Sequence, residues 1–176
     1  MSYNGNFVCT TRKEFPKNCE KHMLDEEVLE HPPTVLRGKI LEKLTLRYDE
    51  DVLLFGIDPG QRIGLSILYY EKEIDNSFYS SIDDLVNHII QVLHGLKASR
   101  KVVKIGNGNM DIAKKIVEHL SLKFSSSFEL EFVDEKNTSL KIKNHNQRGK
   151  RDMLSAKYIS QREGTRKSIL PFSRIE

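Results

Sequence analysis

Residues 53–67 read LLFGIDPGQRIGLSI, and in them an acidic side chain follows directly on a run of core-forming residues. Val52 to Ile57 is a continuous apolar segment of strand length, suited to the buried middle of a sheet. It stops at Asp58, which is pinned against a Pro59-Gly60 turn. A strand that ends in an ionised carboxylate has either met its boundary by accident or is built to hold something positive. Which applies depends on whether other carboxylates reach the same place.

The segments downstream define the surroundings of that strand. Arg62 to Tyr70, rich in Ile, Leu and Tyr, predicts a second strand, and Lys72 to Tyr79 a third, more polar one. The connections are short, so the three should form an antiparallel meander. Ser81-Ile82-Asp83-Asp84 has the form of a capping box with Asp in the place of Glu. It opens a helix whose apolar stripe is Ile82, Leu85, Val86, Ile89, Leu93 and Leu96.

The chain then alternates. Lys101 to Ile105 predicts a short strand, GNGN at 106–109 a turn with Asn109 as N-cap, and Ala113, Ile116, Val117 and Leu120 the inner face of a helix. Phe128, Leu130 and Phe132 alternate with Glu129 and Glu131, the pattern of a half-exposed strand at a sheet edge. After a polar, basic loop, a last helix is expected from Lys150 to Arg162. The order βββαβαβα implies an α/β fold, a mixed sheet with helices on both faces.

Composition sets the class. With 38% hydrophobic and 30% charged residues, a chain of 176 residues carries enough apolar material for one ordinary globular domain. Its apolar runs are too short to span a bilayer, no signal-peptide pattern opens it, and two cysteines give no disulfide framework, so a cytoplasmic location without membrane contact is expected. The net charge of +3 is unevenly spread. Of 28 basic and 25 acidic residues, eleven and three fall in 136–176, leaving seventeen and twenty-two in 1–135. A basic C-terminal quarter is the footprint of a surface that meets phosphates, although a solvated basic helix and tail has the same composition.

Residues 1–50 are broken up by Pro16, Pro32 and Pro33 and read as an extension packing on a core domain at 51–164, with 165–176 as a tail. Within them Asp25 to Glu30 allows at most two helical turns, and Thr34 to Leu44 a short helix capped by Thr34. Cys9, Cys19, His22 and His31 raise the question of zinc, but no two of the cysteines are close, as each half of a structural site requires.

Three acidic positions fall where strands end or a helix begins. Asp58 closes the first strand, Asp134 and Glu135 follow Val133, and Asp152 lies in the first turn of the last helix. Ser155 and Ala156 are small enough to let that helix approach the sheet and bring Asp152 over the strand ends, where open α/β sheets bind ligands. Clustered carboxylates repel one another unless a cation neutralises them, and hard oxygen ligands favour Mg²⁺ or Mn²⁺. Each residue also has a plainer explanation: an Asx turn before Pro59, a solvated strand end, a helix-dipole partner.

GIDPGQRIGLSI resembles the first-strand motif of the RuvC/YqgF branch of the ribonuclease-H-like superfamily. VDEKNTS at 133–139 is similar to the D-E-x-x-T-S/T motif of the YqgF-like members, and RDMLSAKYIS at 151–160 to their final helix motif. The resemblance spans residues 52–163. It implies a five-stranded sheet of order 3-2-1-4-5 and metal-dependent cleavage of nucleic acid, with two Mg²⁺ or Mn²⁺ ions held by Asp58, Glu135 and Asp152, and Asp134 as a further candidate. Junction resolvases of the RuvC type carry a Glu after the fourth strand, where this chain has Gly106-Asn107, and a second acid near the last Asp, where it has Gly149 and Ser155. The match is nearer the YqgF-like side, whose members are linked to ribosomal RNA maturation.

The phosphate-binding surface expected with such a site is Lys136, Lys141, Lys143, Arg148, Lys150 and Arg151, with Asn107 and the 106–109 backbone at a helix start. The partners implied are structured RNA or Holliday-junction-like branched DNA, bound by a monomer or a homodimer. Two other functions fit parts of the pattern. A non-catalytic nucleic-acid-binding module would keep the fold without the full metal site, and an actin-like kinase domain shares a G-x-D-x-G first strand but requires a second such domain.

Overall fold

The computed structural model describes residues 8–14, 23–45, 51–124, 128–135 and 148–169. Its centre is strand β3 (Val52–Asp58). The short strands β1 (Val8–Thr10) and β2 (Met23–Asp25) precede it and pair with each other in parallel, apart from the main sheet. Leu53, Phe55 and Ile57 are fully buried on one face of β3, while Leu54, Gly56 and Asp58 take the other. Replacing Phe55 by Ala would cost about 3–5 kcal/mol, the usual toll of emptying a buried aromatic site.

Strands β4 (Ile63–Tyr69) and β5 (Lys72–Tyr79) follow in the expected antiparallel meander. Their hairpin turn places Tyr70 and Glu71 at positive φ, 49° and 60°, the backbone of a two-residue turn that Asn-Gly adopts at lower cost. Helix α2 (Ile82–Gly95) starts at Ser81, whose hydroxyl accepts from the Asp84 N–H, and α3 (Met110–Lys123) starts at Asn109, whose side chain accepts from Ile112. Both ends sit where the sequence puts its caps. Strands β6 (Arg100–Gly106) and β7 (Phe128–Val133) run parallel to β3.

The mixed sheet has the order β5-β4-β3-β6-β7-β8, where β8 (Thr165–Ile169) lies antiparallel to β7. This corrects two expectations. Residues 165–169 form a strand rather than part of a tail, and β7 is not an edge. The alternating glutamates of β7 are what mislead. Glu129 takes a two-pronged bond from Arg100, 2.7 Å at each oxygen, and Glu131, only 5% exposed, pairs with Lys104 at 3.5 Å. Their charge is matched from β6, so an alternation that reads as solvent-facing belongs to an interior strand.

The two faces of the sheet differ in chemistry. Leu53, Phe55, Ile57, Leu65, Ile67, Val103, Ile105 and Leu130 meet α2 and α3 in one apolar core. Helix α1 (Pro33–Leu44) joins this side through Val35. Pro32, not Thr34, is its N-cap, and Thr34 is buried in the first turn with its hydroxyl 3.2 Å from His88 Nε2. Between Asp25 and Pro32 the chain makes a single 3-10 segment, Glu26–Glu30. On the opposite face lies α4 (Arg148–Gln161), packed on β3 and β4 through Ala156, Ile159 and Ser160. No helix among the described residues is long and apolar enough to cross a membrane.

Candidate active site

Helix α4 reaches the sheet because two strand positions carry no side chain. A Cβ at Gly56 would run into the carbonyl of Ala156 and the side chain of Ser160. One at Gly64 would run into the carbonyl of Asp152. Glycine inside a strand commonly marks such a close approach of another backbone. Gly64 is the cross-strand partner of Asp58. The contact that admits the helix therefore also sets Asp152 beside Asp58.

Glu135 arrives from the other side. It follows β7, and its backbone N–H donates to Asn107 Oδ1 at 3.1 Å, while Asn107 N–H donates to the Val133 carbonyl at 3.0 Å. These bonds tie the ends of β6 and β7 together. The Glu135 carboxylate then turns back over the β6 end, where its Oε1 accepts from the Gly108 N–H at 3.0 Å. A Cβ at Gly106 or Gly108 would collide with that carboxylate. A carboxylate from β7 thus fills the space a side chain at the end of β6 would take.

Asp58 feels the charge of both other acids. Asp58 is pushed up from 3.8 to about 6, first by burial and next by the charge of Glu135, with Asp152 adding to it. A hydrogen bond with Ser155 and the charge of Arg151 oppose the rise. Burial also raises Asp152, against the pull of Arg62 and Arg151. A carboxyl that holds its proton so far above its ordinary range reports surplus negative charge in a partly dry place. Such a donor set suits a hard cation, since all of its ligands are oxygens. Among the described residues, however, no three carboxylate, histidine or cysteine side chains stand close enough to enclose a metal ion.

The other expected site residues are scattered. Asp134 is exposed, and its backbone carbonyl accepts from Arg162 Nη1 at 3.1 Å. Lys150 and Arg151 are exposed in the first turn of α4, which Arg148 opens. Lys136, Lys141 and Lys143 lie outside the described residues. Asn107 is exposed, but its side chain is engaged in seating Glu135. Of the zinc candidates, Cys9 and His31 are exposed, and Cys19 and His22 lie outside the described residues.

Four roles were missed in the sequence: the bond of Ser155, expected only as a small packing residue, to Asp58, the charge of Arg62 on Asp152, and the room that Gly106 and Gly108, expected as a phosphate-binding turn, leave for Glu135. Only the glycines carried a usable signal, because paired glycines at a strand end invite the question of what approaches them. No family model, curated protein or solved structure matches the chain. Its class is stated by the fold alone, an α/β protein with a mixed sheet and helices packed on it.

Proposed function

We propose that this chain is a metal-dependent endonuclease of ribonuclease-H-like architecture that hydrolyses phosphodiester bonds in structured RNA or branched DNA. The observation that supports it is Asp58 itself, at the end of β3, driven up to about 6 by its burial and by the negative charges of Glu135 and Asp152. A structural role gives no reason to gather three acids there at a cost to stability.

In this reading Asp58 is the central ligand, and Ser155 orients its carboxylate. Asp152 approaches from α4, and Glu135 contributes from its seat at the end of β6, where the Gly108 N–H holds one of its oxygens. When bound, two Mg²⁺ or Mn²⁺ ions would supply an activated water and neutralise charge at the leaving oxygen. Asp58, ionised above about pH 6, would offer its carboxylate to them, and the cationic Lys150 and Arg151 hold backbone phosphates at the start of α4. The setting is cytoplasmic, and the active species is a monomer or a homodimer.

The second reading is a nucleic-acid-binding module without catalysis, favoured by the hold of the Gly108 N–H on Glu135. Cleavage assays on a four-way DNA junction and on a folded RNA precursor, with Mn²⁺ and with EDTA, separate the two. Metal-dependent product supports the nuclease; intact substrates that are nonetheless bound support the module.

A further inference from the structure

One aromatic ring is left bare beside the acids. Phe78 lies near the end of the edge strand β5 and is 48% exposed. Its cross-strand partner is Gly64, so it shares the sheet face on which Asp152 sits. The Arg62 guanidinium stands over the ring, 5.7 Å from its centroid, and is also one of the charges acting on Asp152. A planar cation over a half-exposed ring thus occupies the rim of the acidic cluster.

We infer that Phe78 and Arg62 form a stacking site for one unpaired nucleobase, next to the phosphate presented to Asp58 and Asp152. The inference deepens the nuclease reading and rests on its claim that nucleic acid is the ligand. It adds that the substrate carries an unstacked nucleotide beside the phosphate that is cut.

The chemistry of the surroundings selects this occupant. A protein partner would want a contiguous apolar patch, but the neighbourhood of Phe78 is charged. Arg62 overlies the ring and acts on Asp152 together with exposed Arg151, and Lys157 pairs with Glu73 of the same edge strand at 3.2 Å. One exposed ring with a guanidinium suits the flat face of a base, and such stacking is indifferent to sequence because every base has a π-face. Bases inside a continuous duplex have both faces covered by their neighbours and offer nothing to Phe78. As a base takes its place over the ring, Arg62 is freed to meet the adjoining phosphate with its planar fork.

The chain has no tryptophan, so Phe78→Trp creates a single fluorescent reporter at the site. The variant is titrated in EDTA with a short single-stranded oligonucleotide, with the same backbone carrying abasic positions, and with a blunt duplex. Quenching by the single strand, with little by the abasic strand or the duplex, is the expected result. Phe78→Ala and Phe78→Leu should both bind the single strand about tenfold more weakly, Leu included, because it keeps apolar bulk but has no π-face. Equal quenching by the abasic strand, no response to any of the three, or unchanged binding by both substitutions would overturn the stacking site.

The two readings fail separately. Quenching by a protein that cleaves nothing keeps the base site and discards the nuclease. Normal cleavage by Phe78→Ala, with no quenching in Phe78→Trp, keeps the nuclease and discards the base site.

Discussion

The carboxylate of Glu135 occupies the space directly above Gly106, where any side chain at position 106 would have to go. The glycine is thus a requirement of the seat and not an accident of the strand end. Gly106→Ala should push Glu135 away from the end of β6 and weaken divalent-metal binding at least tenfold. It should also cost about 1–3 kcal/mol of stability, as overpacked sites do. Calorimetric Mn²⁺ titration and urea unfolding of the variant give both numbers. Unchanged metal affinity would mean that Glu135 does not contribute from this seat.

The raised pKa of Asp58 makes stability depend on pH in a definite direction. Its folded value of about 6 lies above the unfolded value of 3.8, so the folded state holds the proton more tightly. The associated stability is complete below pH 3.8, falls as pH rises toward 6, and stays lost above it. The loss is at most about 3 kcal/mol. Asp58→Asn cannot ionise and escapes it, so in metal-free buffer the variant should be more stable than the parent at pH 7.5 but not at pH 4. Urea midpoints at the two pH values check this. A difference between variant and parent that is the same at both would contradict the origin given for the shift.

The basic residues between Glu135 and Asp152 are expected to bind phosphates rather than bases. Replacing Lys141, Lys143 and Arg148 together by Ala should weaken nucleic-acid binding regardless of sequence. It should also flatten the log–log salt dependence by about one unit per lost contact. Fluorescence anisotropy over a series of salt concentrations reads the slope, and a slope equal to the parent's would exclude these residues from the interface.

Much of the fold was legible because local signals agreed. The apolar run before Asp58 is the centre of the sheet, the Ser81 and Asn109 caps start their helices, and the short links of the meander leave no other pairing. What stayed hidden depended on partners distant in sequence. Glu131 reads as a solvent-facing residue until Lys104 is seen beside it, and Thr165–Ile169 has no strand signal apart from the free side of β7. In the site, the three acids stood at strand and helix ends where chemistry gathers. The hydroxyl of Ser155, the reach of Arg62 and the seat for Glu135 are products of tertiary packing, and no periodicity announces them. Thr34 has the residue type of a cap, but its hydroxyl meets His88 and Pro32 takes the N-cap position instead.

The central claim is that Asp58, Glu135 and Asp152 share divalent cations, and calorimetric titration of Mn²⁺ into the parent and Asp58→Asn tests it most directly. A neutral amide keeps the size of the side chain and loses most of the attraction for a dication, so the parent should bind Mn²⁺ and the variant should lose nearly all of that heat while remaining folded. Equal Mn²⁺ binding by the two proteins, or none by the parent, would contradict the account and leave Asp58 as a residue of the turn that follows its strand.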